Sequence, residues 1–160
     1  MTAQILDRTL RAWRIGDPDG TWPIFDATGS TIAPGRWNTR GSPVIYASEH
    51  YSTALLEKLV HGSGRLPPNQ HFIEITIPAG TSYEMFAPEA WPGWDAMPPV
   101  ISRRFGEAWS RERRSAVLIV PSVVARLDHN ILINPAHPQF RTITAGLHHP
   151  VFWDHRLFGA

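Results

Sequence analysis

Ala116, Val117, Leu118, Ile119 and Val120 form an unbroken apolar run that stops at Pro121. A run this short and this apolar is the mark of a strand buried on both faces, so the fold must supply a covering layer on each side of it. Residues 71–77 carry a different pattern. They alternate strictly, with Ile73, Ile75 and Ile77 sharing one face, which predicts a strand with one buried side. Shorter β-prone runs are Val44, Ile45, Tyr46 and Ala47, residues 81–86, and residues 130–134; a first strand enters the core at Trp13 and Ile15, and residues 150–158 read as a last one.

Helical spacing is confined to two stretches. The first starts from Ser48 as N-cap, runs to about His61 and stops at Gly62, Ser63 and Gly64. On its wheel Leu55, Leu56, Leu59 and Val60 make an apolar arc, and Glu57 falls on the shoulder of that arc, placed to be half-buried at an edge. The second, residues 100–114, turns Ile101, Phe105, Ala108 and Trp109 inward. Its arginines, Arg103, Arg104, Arg111, Arg113 and Arg114, read mostly as a solvated face, the alternative being a patch for an acidic partner or nucleotide phosphates. Residues 16–30 and 88–99 are irregular, with Trp22, Ile24 and Phe25 expected to anchor the first of these loops. Many short strands, few helices and no regular strand–helix alternation predict an α+β domain on an antiparallel or mixed sheet, a single domain over residues 1–160.

Composition narrows the function classes. Hydrophobic residues at 42% and charged residues at 18% place the chain among globular proteins, and a net charge of +1 gives no basic footprint for nucleic acid. Seven tryptophans and fifteen prolines favour a loop-rich, aromatic-lined fold over a helical bundle. There is no cysteine, which removes disulfide and thiolate chemistry. With no secretory pattern at the start and no apolar run near the roughly 18 residues of a membrane span, a soluble cytoplasmic protein is expected.

The familiar chemical motifs are absent: no Gly-rich phosphate loop, no His-Glu-x-x-His, and no Gly-x-Ser-x-Gly elbow around Ser122. His148, His149 and His155 lack a helical frame and a carboxylate pair, so no metal is expected; His137, between prolines, is expected to fix backbone by hydrogen bonding. What remains is Arg36, Tyr46 and Glu57, brought close by one strand–helix unit. Each has an ordinary reading, as a surface ion-pair partner, a strand-end hydroxyl and a solvated helix residue. Together they suit cleavage of a nucleotide N-glycosidic bond. A carboxylate stabilises the oxocarbenium-like ribose, a tyrosine face stacks on a departing pyridinium, and an arginine offers a fork of donors to phosphate or ribose oxygens. A cationic leaving group needs no general acid, so one carboxylate suffices.

Gly35, Arg36, Trp37 and Asn38, then Gly41, then residues 44–48, then residues 54–61 resemble the RES-domain family, as do residues 106–109, 120–122, 130–138 and 154–158. The resemblance spans nearly the whole chain with the motifs in family order, and the naming arginine, glutamate and serine are similar to Arg36, Glu57 and Ser122. It implies an ADP-ribosyltransferase-like fold, two small mixed or antiparallel sheets around an NAD cleft with a few helices. It implies a toxin of a type II toxin–antitoxin pair that consumes NAD. Arg36, Tyr46, Glu57 and Ser122 would be catalytic; Arg36, Trp37, Asn38, Tyr46 and Ser122 would bind NAD, with Tyr46 against nicotinamide and Glu57 on its ribose. The implied partner is an antitoxin with a helix-turn-helix DNA-binding part that blocks the cleft, and no nucleic acid or membrane is bound directly. ADP-ribose passes to a protein acceptor in the favoured reading, to water or inorganic phosphate in the alternative. A non-catalytic nucleotide- or partner-binding module is the rival of a different class.

Overall fold

The computed structural model describes residues 3–65 and 67–159. Its strands are β1 (Gln4–Ile5), β2 (Leu10–Gly16), β3 (Ile45–Ser48), β4 (His71–Ile77), β5 (Ser82–Met85), β6 (Val117–Pro121), β7 (His129–Ile133), β8 (Thr144–Ala145) and β9 (His149–Pro150). The helices are α1 (Thr28–Ile32), α2 (Tyr51–His61) and α3 (Val100–Arg111). The strands pair in the order β1-β5-β6-β7-β3-β2-β4-β8, with β9 also on β4. Every pairing is antiparallel except β5 with β6.

This mixed sheet is the α+β architecture expected, and the two small sheets are halves of one hydrogen-bonded path. The halves meet at β2 and β3, which are paired only through Trp13 and Ser48. Beyond that single pair the two strands part, and the Arg14 guanidinium of β2 donates across to the Tyr46 carbonyl of β3.

Alternation along the central strands sorts residues into a core on each face. Val117 and Ile119 of β6, Ile131 and Ile133 of β7, and Ile45 and Ala47 of β3 join Ile73, Ile75 and Ile77 of β4 in one cluster. Leu118, Val120 and Leu132 point the other way, into Trp37, Phe86, Trp94, Phe105 and Trp109. The apolar run from Ala116 is therefore buried on both sides, each apolar side chain removed from water contributing about 1.5–3 kcal/mol. Helix α3 comes exceptionally close to the chain in front of β3: a Cβ on Gly106 would lie 1.8 Å from the Trp37 carbonyl oxygen. Only glycine admits that approach.

Four local expectations are corrected. Ser48 is not a helix cap; it stays extended as the last residue of β3, in register with Asn130, and α2 begins after His50, whose side chain makes no cap bond. The inward arc of α2 is rotated. Thr53 and Ala54 are its buried residues, because small side chains let the helix lie close on the sheet, while Leu56 and Val60 are 41% and 56% exposed. The C-terminal stretch is not one strand: after β9 it turns into a short 3₁₀ helix, His155–Phe158, because the Asp154 carboxylate accepts from the Arg156 backbone N–H. In the first loop Ile24 is buried and Phe25 stacks on Phe140, but Trp22 is 39% exposed and α1 occupies the loop's end.

Candidate active site

A tight turn at residues 35–38 is built around the Asn38 amide, which is fully buried. Its Oδ1 accepts from the Gly35 N–H at 2.8 Å and from the Tyr46 hydroxyl at 2.7 Å, and its Nδ2 donates to the Ser30 and Thr39 carbonyls. The Tyr46 hydroxyl also accepts from the Trp37 N–H at 3.0 Å. Burial raises the Tyr46 pKa, so this hydroxyl stays protonated and works as a tie between strand and turn. Gly35 touches the same ring; a Cβ there would lie 2.7 Å from the Tyr46 hydroxyl. The indole of Trp37 is 3% exposed, stacked on Trp94 and edge-on to Phe86. Of the expected NAD contacts, then, Trp37 and Asn38 have closed side chains that hold the turn, whereas Tyr46 is only half-buried.

Arg36, between Gly35 and Trp37, turns its guanidinium to the segment at residues 94–97. Its Nη1 donates to the carbonyls of Trp94 at 3.1 Å and Ala96 at 2.8 Å, and its Nη2 to the Met97 sulfur at 3.4 Å. Burial lowers its pKa, with the charges of Asp95 and Glu57 acting in the opposite sense. Arg36 and Glu57 thus feel one another without touching.

Glu57, in the second turn of α2, is half-buried as its wheel position predicts. Its Oε1 accepts twice: from the Ser122 hydroxyl at 2.7 Å and from the Asn130 Nδ2 at 2.9 Å. Its Oε2 has no partner among the described residues. Both donors are themselves held. The Ser122 Oγ accepts from the Ala125 N–H at 3.0 Å, and the Asn130 Oδ1 accepts from the Ser48 hydroxyl at 2.8 Å. One carboxylate oxygen is clamped and the other is left free.

Ser122, whose contribution the motif alone leaves open, is therefore a donor to Glu57. Asn130 and Ser48 were missed. Their signal was a polar residue at the end of each of two otherwise apolar strand runs, which reads as ordinary strand termination until the register of β3 on β7 sets them opposite one another. Adjoining the clamp, where the Ser122 N–H donates to the Asp128 carbonyl, Glu49, His50 and Asp128 place possible ligand atoms within 4.8 Å of one another, the grouping among the described residues that a metal ion could use. His137 behaves as expected, its ring nitrogen accepting from the Gln139 N–H.

A mixed nine-stranded sheet with a clamped carboxylate on one helix defines an α+β domain with a candidate active site at Glu57. The chain belongs to the RES-domain family, whose profile matches residues 11–154. It is similar to the Prs ADP-ribosylating toxin of Sphingobium sp. (strain YBL2), 38% identical over 156 residues, covering 93% of this chain and 97% of that protein. It is also similar to Toxin Res of Pseudomonas putida, 32% identical over 79% of this chain and 86% of that one. Among solved structures, the Mycobacterium tuberculosis MbcT–MbcA toxin–antitoxin complex matches with a TM-score of 0.72 over 92% of this chain and 86% of that one. At 10% identity that likeness is one of fold, and it fits the ADP-ribosyltransferase-like architecture.

Proposed function

We propose that this chain is the toxin of a toxin–antitoxin pair that breaks the nicotinamide–ribose bond of NAD and transfers ADP-ribose to a protein acceptor. The observation that carries this reading is the half-free carboxylate of Glu57. With Oε1 fixed by Ser122 and Asn130, Oε2 is aimed and available to the ribose. As nicotinamide leaves, positive charge grows on the ribose, and a preorganised carboxylate stabilises it without reorganising. The half-buried Tyr46 offers a ring whose hydroxyl is tied behind it, which suits stacking on the pyridinium rather than proton transfer. Arg36 offers the guanidinium for phosphate oxygens. Nicotinamide leaves as a neutral molecule because the electron pair of the broken C–N bond goes to its ring nitrogen, so departure needs no proton and no second acid beside Glu57.

The relative named for ADP-ribosylating Prs supports a protein acceptor, and the toxin–antitoxin complex of like fold supports an antitoxin partner. We assign that partner a helix-turn-helix part and a segment that blocks the cleft, and we place the chain in the cytoplasm; no helix among the described residues is long and apolar enough to cross a membrane. The test is incubation with NAD labelled in its adenylate part, together with cell extract. Free nicotinamide and a labelled protein band are expected, and both are lost in Glu57→Ala with its melting temperature preserved. Label found only in free ADP-ribose or its phosphate would replace the transferase by a hydrolase or phosphorylase. A fully active Glu57→Ala would refute the mechanism.

A further inference from the structure

Helix α2 carries Glu57, yet no residue of α2 belongs to either core cluster. Its buried residues are the small Thr53 and Ala54. Tyr51 anchors its start, edge-on to Trp13 and Phe72 with ring centroids 5.8 and 5.0 Å away, on the side of β2 and β4. A helix usually owes its placement to a buried apolar face. With so little of one here, polar contacts decide how α2 is rolled about its axis on the Glu57 side.

Two such contacts bind α2 to the connection between β6 and β7, residues 122–128. One is the Ser122 hydroxyl on Glu57. The other is the Thr53 hydroxyl, which donates to the Asp128 Oδ2 at 2.7 Å. Thr53 is fully buried and lies one helical turn before Glu57, so the two side chains leave the same face of α2. Their partners are neighbours as well. The Ser122 N–H donates to the Asp128 carbonyl at 3.0 Å, which extends the β6–β7 ladder by one step past Pro121 and His129. The connection is also closed on itself: the Asp128 N–H donates to the Ala125 carbonyl at 2.8 Å, and the Ala125 N–H to the Ser122 Oγ at 3.0 Å. Thr53–Asp128 and Glu57–Ser122 are therefore two rungs between one turn of helix and one braced loop. Asn130 meets the same Glu57 oxygen as Ser122, so it adds no second point along the helix. A single rung lets a helix swing about it, and a second one removes that freedom.

We infer that Thr53 and Asp128 are positioning residues: their hydrogen bond sets the roll of α2 and so the aim of the free Oε2 of Glu57. The reaction that this aim serves rests on the NAD reading above.

Thr53→Val carries the test, since valine keeps the shape of the buried side chain and removes only the donor. The Asp128 carboxylate is partly exposed and can turn to water. Asp128→Ala is the second variant, and it leaves the backbone groups that close the loop in place. In each, kcat for nicotinamide release should fall about tenfold or more, the size of a hydrogen bond to a charged group, with KM changed by less than about twofold. Thr53→Ser should restore kcat, and the double variant should be no slower than the slower single one. A merely structural threonine predicts the reverse order, because valine fills its space and serine does not. The side-chain amide protons of Asn130 report the clamp by NMR without substrate. The proton bound to Glu57 should move upfield in Thr53→Val and stay in place in Thr53→Ser. An unmoved amide, or a kcat unchanged in both variants, overturns the inference. An amide that moves in a chain that cleaves no NAD would keep the two rungs and sink the proposed function.

Discussion

Removing the Asn130 amide isolates the clamp on Glu57 from the rest of the fold. Ser122 is a poor target for this purpose, since it is fully buried and its oxygen also secures the Ala125 N–H. Asn130 is half-buried, and its side chain is not part of the backbone ladder between β3 and β7. In Asn130→Ala, Oε1 of Glu57 keeps one of its two donors. A hydrogen bond to a charged group contributes about 1.5–3 kcal/mol. If that energy serves to aim Oε2, turnover should fall by about 10- to 150-fold at about 1.4 kcal/mol per decade. The assay is nicotinamide release under saturating NAD, alongside ADP-ribose binding and thermal melting. The expected pattern is a loss in kcat with much smaller changes in binding and stability. Asn130→Asp adds a sharper reading: a second carboxylate 2.9 Å from the first disfavours ionising both, so the acid limb of the rate profile should move to higher pH. Turnover unchanged in Asn130→Ala, or an acid limb unmoved in Asn130→Asp, would mean that the clamp does not orient the carboxylate.

Tyr46→Phe removes a hydroxyl with a donor and an acceptor at the turn and should cost about 1–3 kcal/mol, measured by urea unfolding at neutral pH. The same substitution should alter the alkaline limb. Because the folded-state pKa of Tyr46 is raised above 10.0, the native protein holds more protons than the unfolded chain above that pH, so stability is lost as pH rises; Tyr46→Phe should flatten this loss. Gly106→Ala places a methyl group within 1.8 Å of the Trp37 carbonyl oxygen and should destabilise by about 2–3 kcal/mol or more in spite of alanine's better helix propensity, with a raised KM for NAD as the Arg36 turn is pushed aside. A Gly106→Ala variant as stable as the parent would show that the turn can withdraw from α3.

Periodicity made the central strands and the half-burial of Glu57 legible, because burial on a strand or helix repeats at short range along the chain. It misjudged α2, whose buried face is Thr53 and Ala54 rather than the leucine arc, since how closely a helix sits on a sheet depends on small residues as well as apolar ones. It also misjudged residues 150–158, where the local bond from Arg156 N–H to Asp154 outcompetes strand pairing. Trp37 and Asn38 follow Arg36 in the motif, but adjacency cannot tell a side chain that faces a ligand from one that seals a turn.

By itself, then, the sequence determined the kinds of elements and the family to which the chain belongs, and it singled out Arg36, Tyr46, Glu57 and Ser122 as candidates for the chemistry. Tertiary structure alone decided which of them meet. Ser122 and Asn130 reach Glu57 across 65 and 73 residues of chain, and their meeting depends on the register that sets Ser48 against Asn130. Contacts of that range follow from strand order and register, which are properties of the whole sheet. No periodicity within a single segment encodes them.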